Sequence, residues 1–111
     1  MTLDEYQRKA MATAVDTSGD FVETFMHRVL GLVGESGEVA EKVKKIVRDK
    51  HAKIDETDEK EIVKELGDVL WYLAALADYL GVSLQEVADI NIGKLASRKV
   101  RGKIHGAGDN R

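Results

Sequence analysis

Cysteine and proline are both absent from this 111-residue chain, and aromatic residues make up only 5% of it. Without cysteine there is no disulfide, no thiolate zinc site, no iron–sulfur cluster and no thiol nucleophile, a pattern that suits a reducing cytoplasm. Without proline, long helices run uninterrupted. So few aromatics leave no stacking platform for nucleic acid, and no direct nucleic-acid binding is expected. No stretch has the length and apolar purity of a membrane span. The first ten residues contain Asp4 and Glu5 and do not read as a signal peptide. His27, His51 and His105 show no metal-ligand spacing.

What is present points to helices. The chain is 43% hydrophobic and 33% charged, with a net charge of −3. That balance suits a soluble, folded helical protein of one domain. Leu3, Tyr6, Ala10 and Ala14 share one face of a first helix, expected from Leu3 to Val15. A turn at Asp16-Thr17-Ser18-Gly19 follows. Asp20, with Glu23 three residues on, reads as the N-cap of a second helix over Phe21 to Arg48. Its stripe is Met26, Val29, Val33, Ala40, Val43 and Val47, with Ser36 in the gap. The polar segment Asp49 to Asp58 reads as a loop. A third helix is expected from about Asp58 to a C′ glycine at Gly81, with Ile62, Leu66, Val69, Leu73, Leu76 and Leu80 as its stripe. Ser83 and Glu86 form a capping-box pattern for a fourth helix, which carries Leu84, Val87, Ile90 or Asn91, and Leu95. No strand alternation competes, so the expected class is all-α, a four-helix bundle-like domain over residues 1–101. Residues 102–111 read as a flexible, glycine-rich basic tail.

Two acidic pairs carry the chemistry. Glu35-Ser36-Gly37-Glu38 lies in the second helix and Glu65-Leu66-Gly67-Asp68 in the third. Residues three apart share a helix face, so each pair projects two carboxylates one way. On adjacent antiparallel helices the pairs concentrate four negative charges, which a cation, a proton or bulk water must relieve. Oxygen-only ligands suit Mg²⁺, with Mn²⁺ as substitute. The competing reading is a solvated acidic surface, easily produced by 20 acidic residues. The glycines weigh against it: Gly31, Gly34 and Gly37 step through the second helix and Gly67 interrupts the third. Each costs roughly 0.5–1 kcal/mol relative to alanine, and such violations mark close helix contact or ligand approach. A ferritin-type di-iron site is excluded, because the chain contains no Glu-x-x-His.

The run Gly31-Leu32-Val33-Gly34-Glu35-Ser36-Gly37-Glu38, followed by Lys64-Glu65-Leu66-Gly67-Asp68-Val69-Leu70-Trp71-Tyr72, resembles the E-x-x-E…E-x-x-D signature of MazG-like nucleoside triphosphate pyrophosphohydrolases. Asn91-Ile92-Gly93-Lys94-Leu95-Ala96-Ser97-Arg98 is similar to the N-x-x-K-L-x-x-R segment of the same all-α superfamily. The resemblance implies Mg²⁺-dependent hydrolysis of (deoxy)nucleoside triphosphates to the monophosphate and pyrophosphate, in nucleotide-pool sanitation or control. It makes Glu35, Glu38, Glu65 and Asp68 the metal ligands, with Glu38 or Glu35 as general base. Asn91, Lys94 and Arg98 would face the phosphates, and Tyr72 and Trp71 would line the base or sugar pocket. The counter-readings for these residues are a solvated face for Lys94 and Arg98 and core packing for Tyr72 and Trp71.

A chain this short encloses little concavity, so a homodimer or homotetramer is expected to complete the pocket. Two alternatives remain beside this reading. One is a non-catalytic helical interaction module on the same scaffold. The other is a hydrolase of a related phosphoribosyl or modified nucleotide. The charge is also uneven. From Lys94 to Arg111 there are six basic residues and one acidic, so that end is about +5 and the remainder about −8.

Overall fold

Each helix begins where a side chain satisfies its first orphan amides, and the computed structural model shows these caps in place. It describes residues 1–15 and 19–111. Helix α1 spans Leu3–Met11, opened by a reciprocal capping box between Thr2 and Glu5. It stops earlier than periodicity suggests, with Ala12 as C-cap. Of the expected turn at Asp16 to Gly19, only Gly19 lies within the described residues. Helix α2 spans Phe21–Lys50, and the Asp20 carboxylate accepts from the Val22 and Glu23 amides. Helix α3 spans Glu56–Tyr79 and starts two residues before Asp58, because Asp55 and Asp58 cap each other's amides. Gly81 (φ +74°) ends it as expected. The Val82 amide reaches the Ala77 carbonyl and the Gly81 amide that of Asp78, a Schellman closure. Helix α4 spans Leu84–Val100, capped by Ser83. The described residues contain four helices and no strand, so the all-α expectation holds. None of these helices is long and apolar enough to cross a membrane.

Helices α2 and α3 form an antiparallel hairpin. At one end Tyr79 packs its ring against Phe21 and Phe25 (centroids 4.4 and 4.8 Å). The buried Arg28 donates to the Ala75 carbonyl (2.6 Å) and lies 3.4 Å from the Asp78 carboxylate. At the other end the Lys50 ammonium bridges Asp55 (2.9 Å) and Asp58 (2.8 Å). Helix α1 packs against α3 and α4. Gln7 stitches three elements together: its amide donates to the Ala74 and Val82 carbonyls, and its oxygen accepts from the Leu84 amide. The Trp71 indole donates to the Ala10 carbonyl (3.2 Å) and the Thr13 hydroxyl (2.9 Å). Ala10, Ala74 and Leu84 form the small core beneath these ties.

The apolar stripes read from periodicity are only partly what the hairpin shelters: Val29 on α2 and Ile62, Val69 and Leu76 on α3 are half-buried. Val33 on α2 is 66% exposed and Leu66 on α3 is 51% exposed. The sheltered residues of α2 include Arg28, Val29, Gly31, Leu32, Glu35, Val39, Lys42 and Ile46, a face of mixed polarity. No large side chain among the described residues is fully buried. Helix α4 does not touch α2. The radius of gyration is 17.0 Å, against about 13 Å for a compact domain of this length. One chain alone leaves much of its apolar surface uncovered.

The glycines separate by environment. A Cβ on Gly31 would land on the Tyr72 ring, whereas Gly34, Gly37 and Gly67 face open space. Gly31→Ala should therefore lower stability by about 1–3 kcal/mol through overpacking. Gly34→Ala should raise it by about 0.5–1 kcal/mol through helix propensity. Urea unfolding of both variants at matched protein concentration checks the pair. A loss at Gly34 would mean that something occupies the space beside it.

Candidate metal centre

The hairpin register brings carboxylates together across its interface. Glu35 comes from α2, and Glu65 and Asp68 come from α3. Each offers an oxygen, and the three lie within 4.8 Å of one another. Glu35 and Glu65 are half-buried and Asp68 is exposed. Glu38, one turn further along α2, is exposed and outside this trio, though its charge still acts on Glu35. Burial first, and then the charges of Asp68, Glu65 and Glu38, push the Glu35 carboxyl above its ordinary range. Burial and the Asp68 charge likewise raise the Tyr6 hydroxyl, which places α1 beside the cluster. Such a group of oxygens, with no histidine or cysteine among them, fits a hard divalent cation.

An open cleft of about 390 Å³ lies at this point, lined by Thr13, Glu35, Asp68, Trp71 and Tyr72. Tyr72 and Trp71 thus line the cavity that also contains two of the carboxylates. Their rings meet edge to face at 4.9 Å, and the Trp71 indole is at the same time a tie to α1. Thr13 is a lining residue that periodicity does not single out, because it is off the apolar face of Leu3, Tyr6, Ala10 and Ala14.

The Lys42 ammonium lies 3.2 Å from Glu65 and 4.0 Å from Glu61. The helical wheel holds the signal: Lys42 is seven residues after Glu35, two turns along the same face. Glu61 also accepts from Lys64 (2.6 Å), whose ammonium holds its carboxyl below the ordinary range. Glu41 turns to Lys44 (2.8 Å) and Lys45 (3.8 Å) instead.

The α4 residues sit apart from the carboxylates. Asn91 is exposed. The Lys94 ammonium lies 2.7 Å from Asp109, and Arg98 is buried and bonded to Asp109 as well. Among the described residues, no hydrogen bond or ion pair joins Lys94 or Arg98 to the trio.

The antiparallel helix pair thus brings three carboxylates to its interface, an oxygen set that could hold a divalent cation. A family model for the MazG nucleotide pyrophosphohydrolase domain matches residues 23–101, and the chain belongs to that family. The chain is 47% identical to the Gene 37 protein of Mycobacterium phage L5, with all of both chains covered. It is 37% identical to a Bacillus subtilis (strain 168) protein named Uncharacterized protein YvdC, over 64% of this chain and 72% of that one. No solved structure matches.

The raised Glu35 carboxyl has a consequence for stability. A raised acid holds its proton more tightly in the folded than in the unfolded state. The stability it contributes is complete below the unfolded value, near 4.5, and is lost as pH rises through the folded one. Metal-free protein should therefore melt at lower temperature as pH rises above 4.5. Glu35→Gln should flatten that part of the profile, and Mg²⁺ or Mn²⁺ should restore wild-type stability at neutral pH. Thermal melts in EDTA and in metal across pH 4–8 measure all three.

Proposed function

We propose that this protein hydrolyses (deoxy)nucleoside triphosphates to the monophosphate and pyrophosphate with Mg²⁺. The observation that carries the reading is the carboxylate trio, which assembles two separate acidic motifs across one helix interface. Family membership supports the reaction type. Glu35, Glu65 and Asp68 would hold the metal, with Glu38 closing the set from the next turn. When bound, Mg²⁺ supplies charge neutralisation for the phosphate oxygens and lowers the pKa of water.

The remaining work falls to the chain's own side chains. Glu38 is exposed and outside the trio, so it is the carboxylate best placed to take a proton from attacking water, with Glu35 as the other candidate. Tyr72 and Trp71 line the cleft, where they would meet the base or sugar. Lys94, Arg98 and Asn91 would engage the phosphates, and the cations would stabilise charge on departing pyrophosphate. Within one chain α4 does not touch α2, and large apolar faces stay open. Association of copies, as a homodimer or homotetramer, covers those faces and completes the pocket. A cytoplasmic location agrees with the cysteine-free composition.

The test is a release assay with purified protein, Mg²⁺ and a panel of canonical and modified (deoxy)nucleoside triphosphates, with pyrophosphate and orthophosphate measured separately. Pyrophosphate release is expected. Glu38→Gln and Asp68→Asn should each reduce kcat/KM by about a hundredfold or more, in the range of a lost acid–base group. Glu41→Gln, whose carboxylate faces Lys44 and Lys45, should leave it unchanged. Orthophosphate alone would reassign the bond cleaved. Absence of release from any nucleotide would reject the reading in favour of an interaction module.

A further inference from the structure

The single acidic residue of the basic C-terminal end sits on its cations. Asp109 Oδ1 accepts from Lys94 Nζ (2.7 Å) and from an Arg98 terminal nitrogen (3.1 Å), and the Asp109 carbonyl accepts from that same Arg98 nitrogen. The segment that delivers Asp109 is closed by its own last residue. The Arg111 guanidinium donates to the Lys103, Ile104 and Gly108 carbonyls, and its carbonyl accepts from Arg101. Gly106 (φ +135°) and Gly108 (φ +83°) supply the left-handed turns that this loop needs. Residues 103–111 therefore form a strap that folds back on α4 and presents one carboxylate.

The burial is lopsided. The Arg98 side chain is 7% exposed and that of Asp109 is 74% exposed. A buried guanidinium needs an anion, whereas an exposed carboxylate has water to fall back on. The match is also incomplete. Both Asp109 oxygens use one Arg98 nitrogen, and Arg98 Nε is buried with no partner. A phosphoryl group can span the Nε and terminal-nitrogen edge with two oxygens and leave a third for Lys94. Lys94, and then Arg98, hold the Asp109 carboxyl below its ordinary range, so it is ionised at neutral pH and stands as an anion in its own right.

We propose that Asp109 is an internal stand-in for a substrate phosphate, and that the strap occupies Lys94 and Arg98 until a phosphate-bearing ligand displaces it. The identity of that ligand rests on the nucleotide-hydrolase reading; the competition itself does not. Apparent affinity is then reduced by the fraction of time that the strap is seated.

Inorganic pyrophosphate in EDTA is the probe, because without divalent metal it reports on the cations alone. Calorimetric titration should show Asp109→Asn binding pyrophosphate at least about threefold tighter than wild type. Arg111→Ala, which opens the strap without touching Asp109 or its partners, should shift the same way. In wild type, pyrophosphate should speed tryptic cleavage after Lys103, read by mass spectrometry. Unchanged or weaker binding in Asp109→Asn would overturn the proposal and make the strap a support for Arg98. Pyrophosphate that protects the Lys103 site would overturn it too. If the variants bind tighter while no nucleotide is hydrolysed, the strap stands and the nucleotide reading falls.

Discussion

The α2–α3 hairpin must pack through a face whose middle brings three carboxylates together. Glu35, Glu65 and Asp68 meet where two helices would ordinarily bury apolar side chains. Like charges at this range repel, and burial first, then that repulsion, raises the Glu35 carboxyl. The hairpin is held from its two ends instead. Arg28 and the Phe21–Phe25–Tyr79 cluster fix one end, and Lys50 bridging two aspartates fixes the other. Gly31 lets the Tyr72 ring press against α2, which brings the lining residue and the carboxylates to one cleft. The middle of the interface is thereby free to serve chemistry rather than cohesion.

Much of this was legible residue by residue. Asp20, Ser83 and Gly81 mark their helix ends by local hydrogen bonding, which needs no tertiary context. The spacing within E-x-x-E and E-x-x-D places each pair on one face, because helix geometry is fixed. The pairing of Glu35 with Glu65 and Asp68 follows from an antiparallel hairpin. The inward face of α2 was not legible. Hydrophobic periodicity selects Val33 and its companions, but the hairpin turns Arg28, Glu35 and Lys42 inward. Periodicity reports which face avoids water, not which neighbour covers it, and α3 leaves Val33, Val43 and Val47 of α2 exposed. The α1 boundary was misjudged for a similar reason. Ala12 to Val15 are compatible with helix, yet Trp71 takes the Ala10 carbonyl and the Thr13 hydroxyl as acceptors where the helix ends.

The contrast among glycines sharpens the point. Gly31 is required by the Tyr72 ring, while Gly34, Gly37 and Gly67 meet nothing within 4 Å in one chain. Their cost in helix propensity is not offset by any contact among the described residues. Gly37 lies between the carboxylates of its motif, as Gly67 does in the other. The exposed apolar stripes on α2 and α3 call for outside cover.

The two charged halves of the proposed site are each partly offset from within. On the hairpin, Lys42 sits against Glu65 as a resident cation. On α4, Asp109 sits against Lys94 and Arg98 as a resident anion. Both counter-ions are attached to the chain and reach their partners by flexible means, a lysine stem in one case and a glycine-turned strap in the other. A divalent cation carries twice the charge of Lys42 and takes several oxygens at once. A triphosphate likewise offers more acceptors than one carboxylate. Each external ion is thus a better partner than the internal one it would replace. Exchange of this kind limits the desolvation penalty of an empty, highly charged site, since neither Glu65 nor Arg98 is left without an opposite charge. The division of the net −3 into an acidic body and a basic end is then a division of labour. On the proposed function, the ligand that would join the two halves is one that carries both charges, a polyphosphate together with its metal.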